Sequence, residues 1–131
     1  MASYHLSVKS TSRAKGQSSV AAAAYRSGER LLDERTGGVH DFSRKRGIEQ
    51  KEIIAPSGAP EWVKNRERIW NAAEQSEKRK DAKVAREFEV ALPSELSKAE
   101  QQALAREFAQ TLADRYGVAV DMAIHRPHRK G

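Results

Sequence analysis

The sequence contains no cysteine, which excludes disulfides and thiolate metal sites and fits a cytoplasmic protein. It also lacks any apolar run approaching the ~20 residues that a bilayer-crossing helix needs. The opening MASYHLSVKS has no basic region followed by an apolar stretch, so it does not read as a secretory signal. There is no internal repeat, no linker long enough to divide domains, and no glycine-rich loop of the kind that cradles phosphates. Apolar residues are scarce, at 38%, against 32% charged, which predicts a wet, charged surface on one domain, residues 1–131.

What is present is positive charge. Lysine and arginine number 24 against 18 acidic residues, a net charge of +6. Such an excess favours polyanions, nucleic acid first among them, although a merely solvated basic surface has the same composition.

Residues 3–9 alternate apolar and polar and predict a half-buried strand. A Ser/Gly/basic loop follows. Ser18 or Ser19 can then cap a helix running VAAAAYRSGERL. Residues 33–47 read as loop or a weak hairpin, 48–54 as a short strand, and 61–78 as an amphipathic helix after the breakers Pro56, Gly58 and Pro60. A strand over 84–92 ends at Pro93. Ser97 and Glu100 form a capping box for a helix that would bury Leu104, Phe108 and Leu112 and stop at Gly117. A last strand, VAVDMAIH, leads into a basic tail. Alternating strands among helices predict an α+β fold, an antiparallel sheet packed by helices on one face.

The other strand face holds the residues capable of chemistry. His5, Glu87, Glu89, Asp121 and His125 all fall there, among small neighbours. If the strands adjoin, two imidazoles and three carboxylates gather on one surface. That set suits a divalent metal, or it is an ordinary solvent face. His128 lies three residues from His125 across Pro127 and does not pair with it, and His40 reads as surface. Tyr25, within the alanine helix, is either a packing anchor or a phenolic nucleophile for phosphoryl transfer. Arg13, Lys15, Arg26 and Arg30 lie close to it in sequence and can hold phosphates.

Three segments resemble the MobA/MobL-type relaxases, the group that includes TraA-like conjugative nickases. SYHLSVKSTSRAKGQSSVAAAAYRSGERL is similar to their first motif, AREFEVALPSEL to their central strand and turn, and AIHRPHRKG to the start of their histidine motif. The resemblance covers nearly the whole chain in the family's order. It implies an antiparallel sheet flanked by helices, as in other HUH nucleases. It implies Tyr25 as the nucleophile that nicks single-stranded DNA at a plasmid transfer origin through a 5′-phosphotyrosine. It further implies relaxosome proteins as partners and a divalent metal, Mg²⁺ or Mn²⁺, on three histidines. His125 matches the first of these. The His-x-His pair that supplies the other two has no match before Gly131, so on this reading the chain is the N-terminal portion of the nicking domain, with an incomplete metal site. Glu87, in preference to Glu89, is expected to orient His125 or receive the tyrosine proton, unless it is a cross-strand partner of an arginine. The competing expectations are a non-catalytic single-stranded DNA-binding module, a small interaction domain, and a metal hydrolase of small molecules.

Overall fold

The computed structural model describes residues 6–12, 18–76 and 83–125. The α+β class holds, with small antiparallel sheets and helices.

Strand β1 (Leu6–Ser12) is followed by helix α1 (Ser19–Ser27). Ser18 is the cap: its hydroxyl accepts the Ala21 N–H at 3.2 Å and donates to Asp33 at 2.8 Å. The helix buries Ser19, Val20, Ala23, Ala24 and Ser27, a thin face that admits close neighbours. It stops at Ser27, four residues short of the expected Leu31. Gly28 takes the left-handed conformation at φ 66° and turns the chain. A Cβ there would stand 2.5 Å from Ile48 Cδ1, the movable end of a side chain, so the positive φ is what favours glycine here.

The released segment becomes β2 (Arg30–Asp33), paired antiparallel with β3 (Gly38–Asp41). The expected weak hairpin is therefore real and begins earlier, on residues read as helix. Leu31 packs from this strand against Val20, Ala23 and Ala24, with Phe42 and Trp70 at the edge.

β4 (Ile48–Ile54) matches expectation. The helix expected over 61–78 is divided. A 3-10 turn spans Glu61–Lys64, and α2 (Arg66–Ser76) follows, with Asn65 Oδ1 accepting the Arg68 N–H at 3.0 Å. α2 buries Asn71 and Glu74 fully, while Trp70 is partly covered.

β5 (Lys83–Val90) pairs with β1. α3 (Lys98–Tyr116) begins with the expected Ser97/Glu100 capping box and ends at Gly117, φ 63°. Its buried face differs from expectation. Gln101, Ala109 and Ala113 are inside, while Leu104 and Phe108 are 38% and 44% exposed. The alanines let the helix lie close on Ile54, Val120 and Met122, and that close contact decides which side faces inward.

β6 (Val120–His125) pairs with β4. The described ladders are three two-stranded ribbons, β1–β5, β2–β3 and β4–β6. Helices lie on both faces of β4–β6. α3 covers the Val120/Met122 side, and α1 and α2 reach the alternate side through Asp121 and His125. The face expected to be open on this strand is therefore covered at Asp121 and exposed at His125.

Candidate active site

The last turn of α1 is the focus. A helix end leaves carbonyls without intrahelical partners. Here the carbonyls of residues 24 to 27 each receive a donor. Ala24 takes the Glu29 N–H at 3.1 Å. Tyr25 takes Lys45 Nζ at 2.8 Å, Arg26 takes His125 Nε2 at 2.9 Å, and Ser27 takes Lys51 Nζ at 3.1 Å. Cations at a helix C-terminus are favourable in any case, because the aligned peptide dipoles are negative there.

His125 therefore meets the helix one residue beyond Tyr25, across 99 positions of sequence. A carbonyl only accepts, so Nε2 is the donor, and in the neutral ring Nδ1 carries the lone pair. The imidazole itself is exposed.

Tyr25 is 54% exposed, which removes the packing-anchor reading. Its ring stands edge-to-face on Phe42, 5.3 Å between centroids, and the Lys45 ammonium sits 3.4 Å from its centroid. Arg26 stacks over Trp70 at 5.4 Å. Arg30 is exposed on β2, opposite Asp41. Ser43 donates its hydroxyl and its N–H to Asp41, and these bonds hold the Asp41 carboxyl below its usual range, with Arg30 and Arg44 adding to the effect.

Beneath this surface lies an ion network. Asp121 accepts Arg66 Nε and Nη2, both at 2.8 Å, and Trp70 Nε1 at 2.8 Å. Arg66 Nη1 donates to Glu29 at 2.6 Å, and Lys51 joins Glu29 at 2.9 Å. Burial disfavours the Arg66 charge, but the hydrogen bonds and charge of Asp121, then those of Glu29, outweigh it and raise its pKa. The network ties α2 to β6, β4 and the turn after α1.

The sequence-based site is therefore partly assembled and partly not. Tyr25, Arg26 and His125 come together. Asp121, expected beside His125 on a ligand-facing side, is instead buried against Arg66 and Trp70. Glu87 and Glu89 sit on β5 opposite Lys9 and Ser7 of β1, and no described ladder joins β5 to β6. The strand adjacency that was to bring Glu87 to His125 is not among the described pairings, and the Glu87 side chain lies outside the described residues. Arg13, Lys15, His5 and His128 also lie outside them. Among the described residues, no group of three His, Cys, Asp or Glu converges to hold a metal. Lys45, Lys51 and Arg66 carried no expectation, although the run Arg44-Lys45-Arg46 marked a basic loop.

The chain is similar to known proteins over most of its length. The model of the MobA/MobL family matches residues 17–131. Mobilization protein MobL of Acidithiobacillus ferridurans is 50% identical over 97% of this chain and 33% of its own length. Conjugal transfer protein TraA of Rhizobium radiobacter is 36% identical over 95% of this chain and 12% of its own. A solved structure, "Molecular Basis of Vancomycin Resistance Transfer in Staphylococcus aureus", superimposes with a TM-score of 0.90 at 38% identity, covering 95% of this chain and 63% of that one. The chain thus spans a third or less of the length of these curated relatives. On the family match and the shared fold together, the chain belongs to the MobA/MobL family.

Proposed function

We propose that this chain carries the nucleophile-bearing part of a relaxase, which nicks and rejoins single-stranded DNA at a plasmid transfer origin for mobilisation. One observation carries the reading. Tyr25 projects from the last turn of a helix whose next carbonyl is held by His125, so the two residues that the family's motifs single out meet at one place. The names of the relatives, mobilisation and conjugal transfer proteins, support the same role.

In the proposed step the Tyr25 phenol oxygen attacks the scissile phosphorus. An O–P bond forms to tyrosine and the P–O3′ bond breaks. The product is a 5′-phosphotyrosine and a 3′-hydroxyl, which ends with the proton that the phenol gives up. One phosphodiester replaces another, so attack by the hydroxyl reverses the step without an energy source. Arg26, Arg30 and, from outside the described residues, Arg13 and Lys15 are proposed to receive the DNA phosphates. Glu87 is proposed as the proton acceptor or as the partner that orients His125.

The metal implied by the family fits these residues only in part. His125 offers one imidazole nitrogen, a single ligand for Mg²⁺ or Mn²⁺, and the described residues do not complete a site around it. No step above is assigned to a metal. Among the described residues, no helix is long and apolar enough to cross a membrane. The proposed setting is the bacterial cytoplasm, with other relaxosome proteins as partners.

The test uses the full-length protein, a labelled single-stranded oligonucleotide bearing the cognate nick site, Mg²⁺ or Mn²⁺, and a denaturing gel. A covalent adduct that disappears in Tyr25→Phe is expected. An adduct that persists in that variant overturns the nucleophile. Salt-sensitive binding with no adduct from either protein overturns the enzyme and leaves a non-catalytic DNA-binding module.

A further inference from the structure

We propose that Lys45 is a positioning residue for Tyr25, holding its phenol in a single direction; the proposal rests on the reading of Tyr25 as the nucleophile. Lys45 makes two contacts with the same residue. Its ammonium donates to the Tyr25 carbonyl at 2.8 Å and lies 3.4 Å from the Tyr25 ring centroid. The bond to the carbonyl fixes where the ammonium stands, and the ring face rests on that ammonium, so the pair favours the side-chain direction that keeps this contact. Phe42 closes another side, with its ring edge-to-face at an interplanar angle of 88°.

The loop that supplies both residues is itself fixed. The Phe42 N–H donates to the Glu29 carbonyl at 3.1 Å, and the Lys45 N–H donates to the Phe42 carbonyl at 2.9 Å. Ser43 closes an Asx turn onto Asp41. The clamp thus starts from the turn that follows α1 and returns to the last turn of α1.

This geometry matters because Tyr25 is largely in water. An exposed aromatic side chain ordinarily samples several rotamers. A nucleophile must meet its phosphorus in line, and misplacement of about 1 Å can cost on the order of 10²-fold in rate. A lysine ammonium suits the task, because it is a compact charge that bonds a carbonyl and rests on a π face together.

The experiment compares wild type, Lys45→Met, Lys45→Arg and Tyr25→Phe in the full-length protein. Single-turnover adduct formation is followed at several oligonucleotide concentrations, and Tyr25 is observed by NMR with ¹³C-labelled tyrosine. In wild type a single χ1 rotamer is expected. Lys45→Met should average the rotamers and lower the plateau rate roughly 2-fold to 5-fold, with little change in half-saturating DNA. Lys45→Arg should recover a large part of the rate. Rotamer averaging in wild type overturns the clamp, as does an unchanged plateau rate in Lys45→Met. A loss confined to half-saturation also overturns it, since Lys45 is then a phosphate contact alone. An adduct in Tyr25→Phe overturns the nucleophile reading instead, and the NMR arm still decides whether the clamp exists.

Discussion

Replacing Asp121 with alanine should destabilise the fold strongly while leaving the chemistry proposed for Tyr25 nearly intact. The carboxylate takes two donors of Arg66 and the indole N–H of Trp70, and the Asp121 and Arg66 side chains are 5% and 9% exposed. Removing one partner of a buried pair costs about 3–5 kcal/mol, because the other charge is left in a poor solvent. Glu29 still holds Arg66 Nη1, which places the loss near the low end, about 3 kcal/mol. For a domain of this size that corresponds to a fall of about 10 °C in Tm. Urea and thermal unfolding followed by circular dichroism measure it. The raised pKa of Arg66 means that its charge persists in the folded state, and its contribution is lost only as pH rises through that raised value. The deficit should therefore be constant across neutral pH.

Two further arms test the reasoning. The double variant Arg66→Met, Asp121→Leu removes both charges and should be more stable than Asp121→Ala, since no unpaired ion remains. At temperatures well below the lowered Tm, the single-turnover adduct rate of Asp121→Ala should stay within about threefold of wild type, because the carboxylate holds the scaffold and not the DNA. A stability loss under about 1 kcal/mol would refute the network's weight. A collapsed rate in folded protein would return Asp121 to the ligand-facing role that strand alternation suggests.

Gly28→Ala should lose about 1–3 kcal/mol by denaturant unfolding, from the left-handed φ and from the Ile48 methyl 2.5 Å away, and Ile48→Val should restore part of it; an unchanged midpoint would show that this turn relaxes freely. Ser97→Ala should cost about 1 kcal/mol near neutral pH. The Ser97 N–H, then its hydroxyl, hold the Glu100 carboxyl below the usual carboxylate range, so the cap stabilises above that range and fades as pH falls through the lowered value. The gap between variant and parent should therefore narrow in acid unfolding series, and a constant gap would refute the coupling. Lys51→Met, at a side chain 40% exposed, should cost no more than about 1 kcal/mol, and a loss as large as that of Asp121→Ala would overturn the distinction between rim and interior charges.

Signals contained within a few residues were legible in the sequence. The Ser97/Glu100 box, the stop at Gly117 and the cap at Ser18 depend on bonds three or four positions long, and each forms. Helix α1 was overextended because Glu29, Arg30 and Leu31 are helix formers, whereas Gly28 takes the left-handed C-cap conformation and Leu31 leaves the helix to pair and pack as a strand. The buried side of α3 was misjudged for a related reason. Leu104 and Phe108 look like a core stripe, but depth of contact with β4 and β6 favours the alanines. Strand alternation placed Asp121 and His125 on one side, and they do share it, but alternation does not say which strand is the neighbour or whether helices cover that side. The motifs singled out Tyr25 and His125, and the structure brings them to the same helix end. Lys45 and Lys51 were not, because the carbonyls they bond lie 20 and 24 residues away and leave no local pattern.

A helix end is a demanding place for a nucleophile, since terminal turns fray and their carbonyls lack partners. It is also where a side chain can project beyond the scaffold toward a strand of DNA. This chain meets both demands by bonding α1 at both ends. Buried Glu74 accepts the Ser19 N–H at 2.9 Å and the Ser19 hydroxyl at 2.7 Å, setting a carboxylate at the positive pole. Lys45, His125 and Lys51 set donors at the negative pole, each from a different segment. The order of this helix end thus depends on the loop after β3, on β4 and on β6.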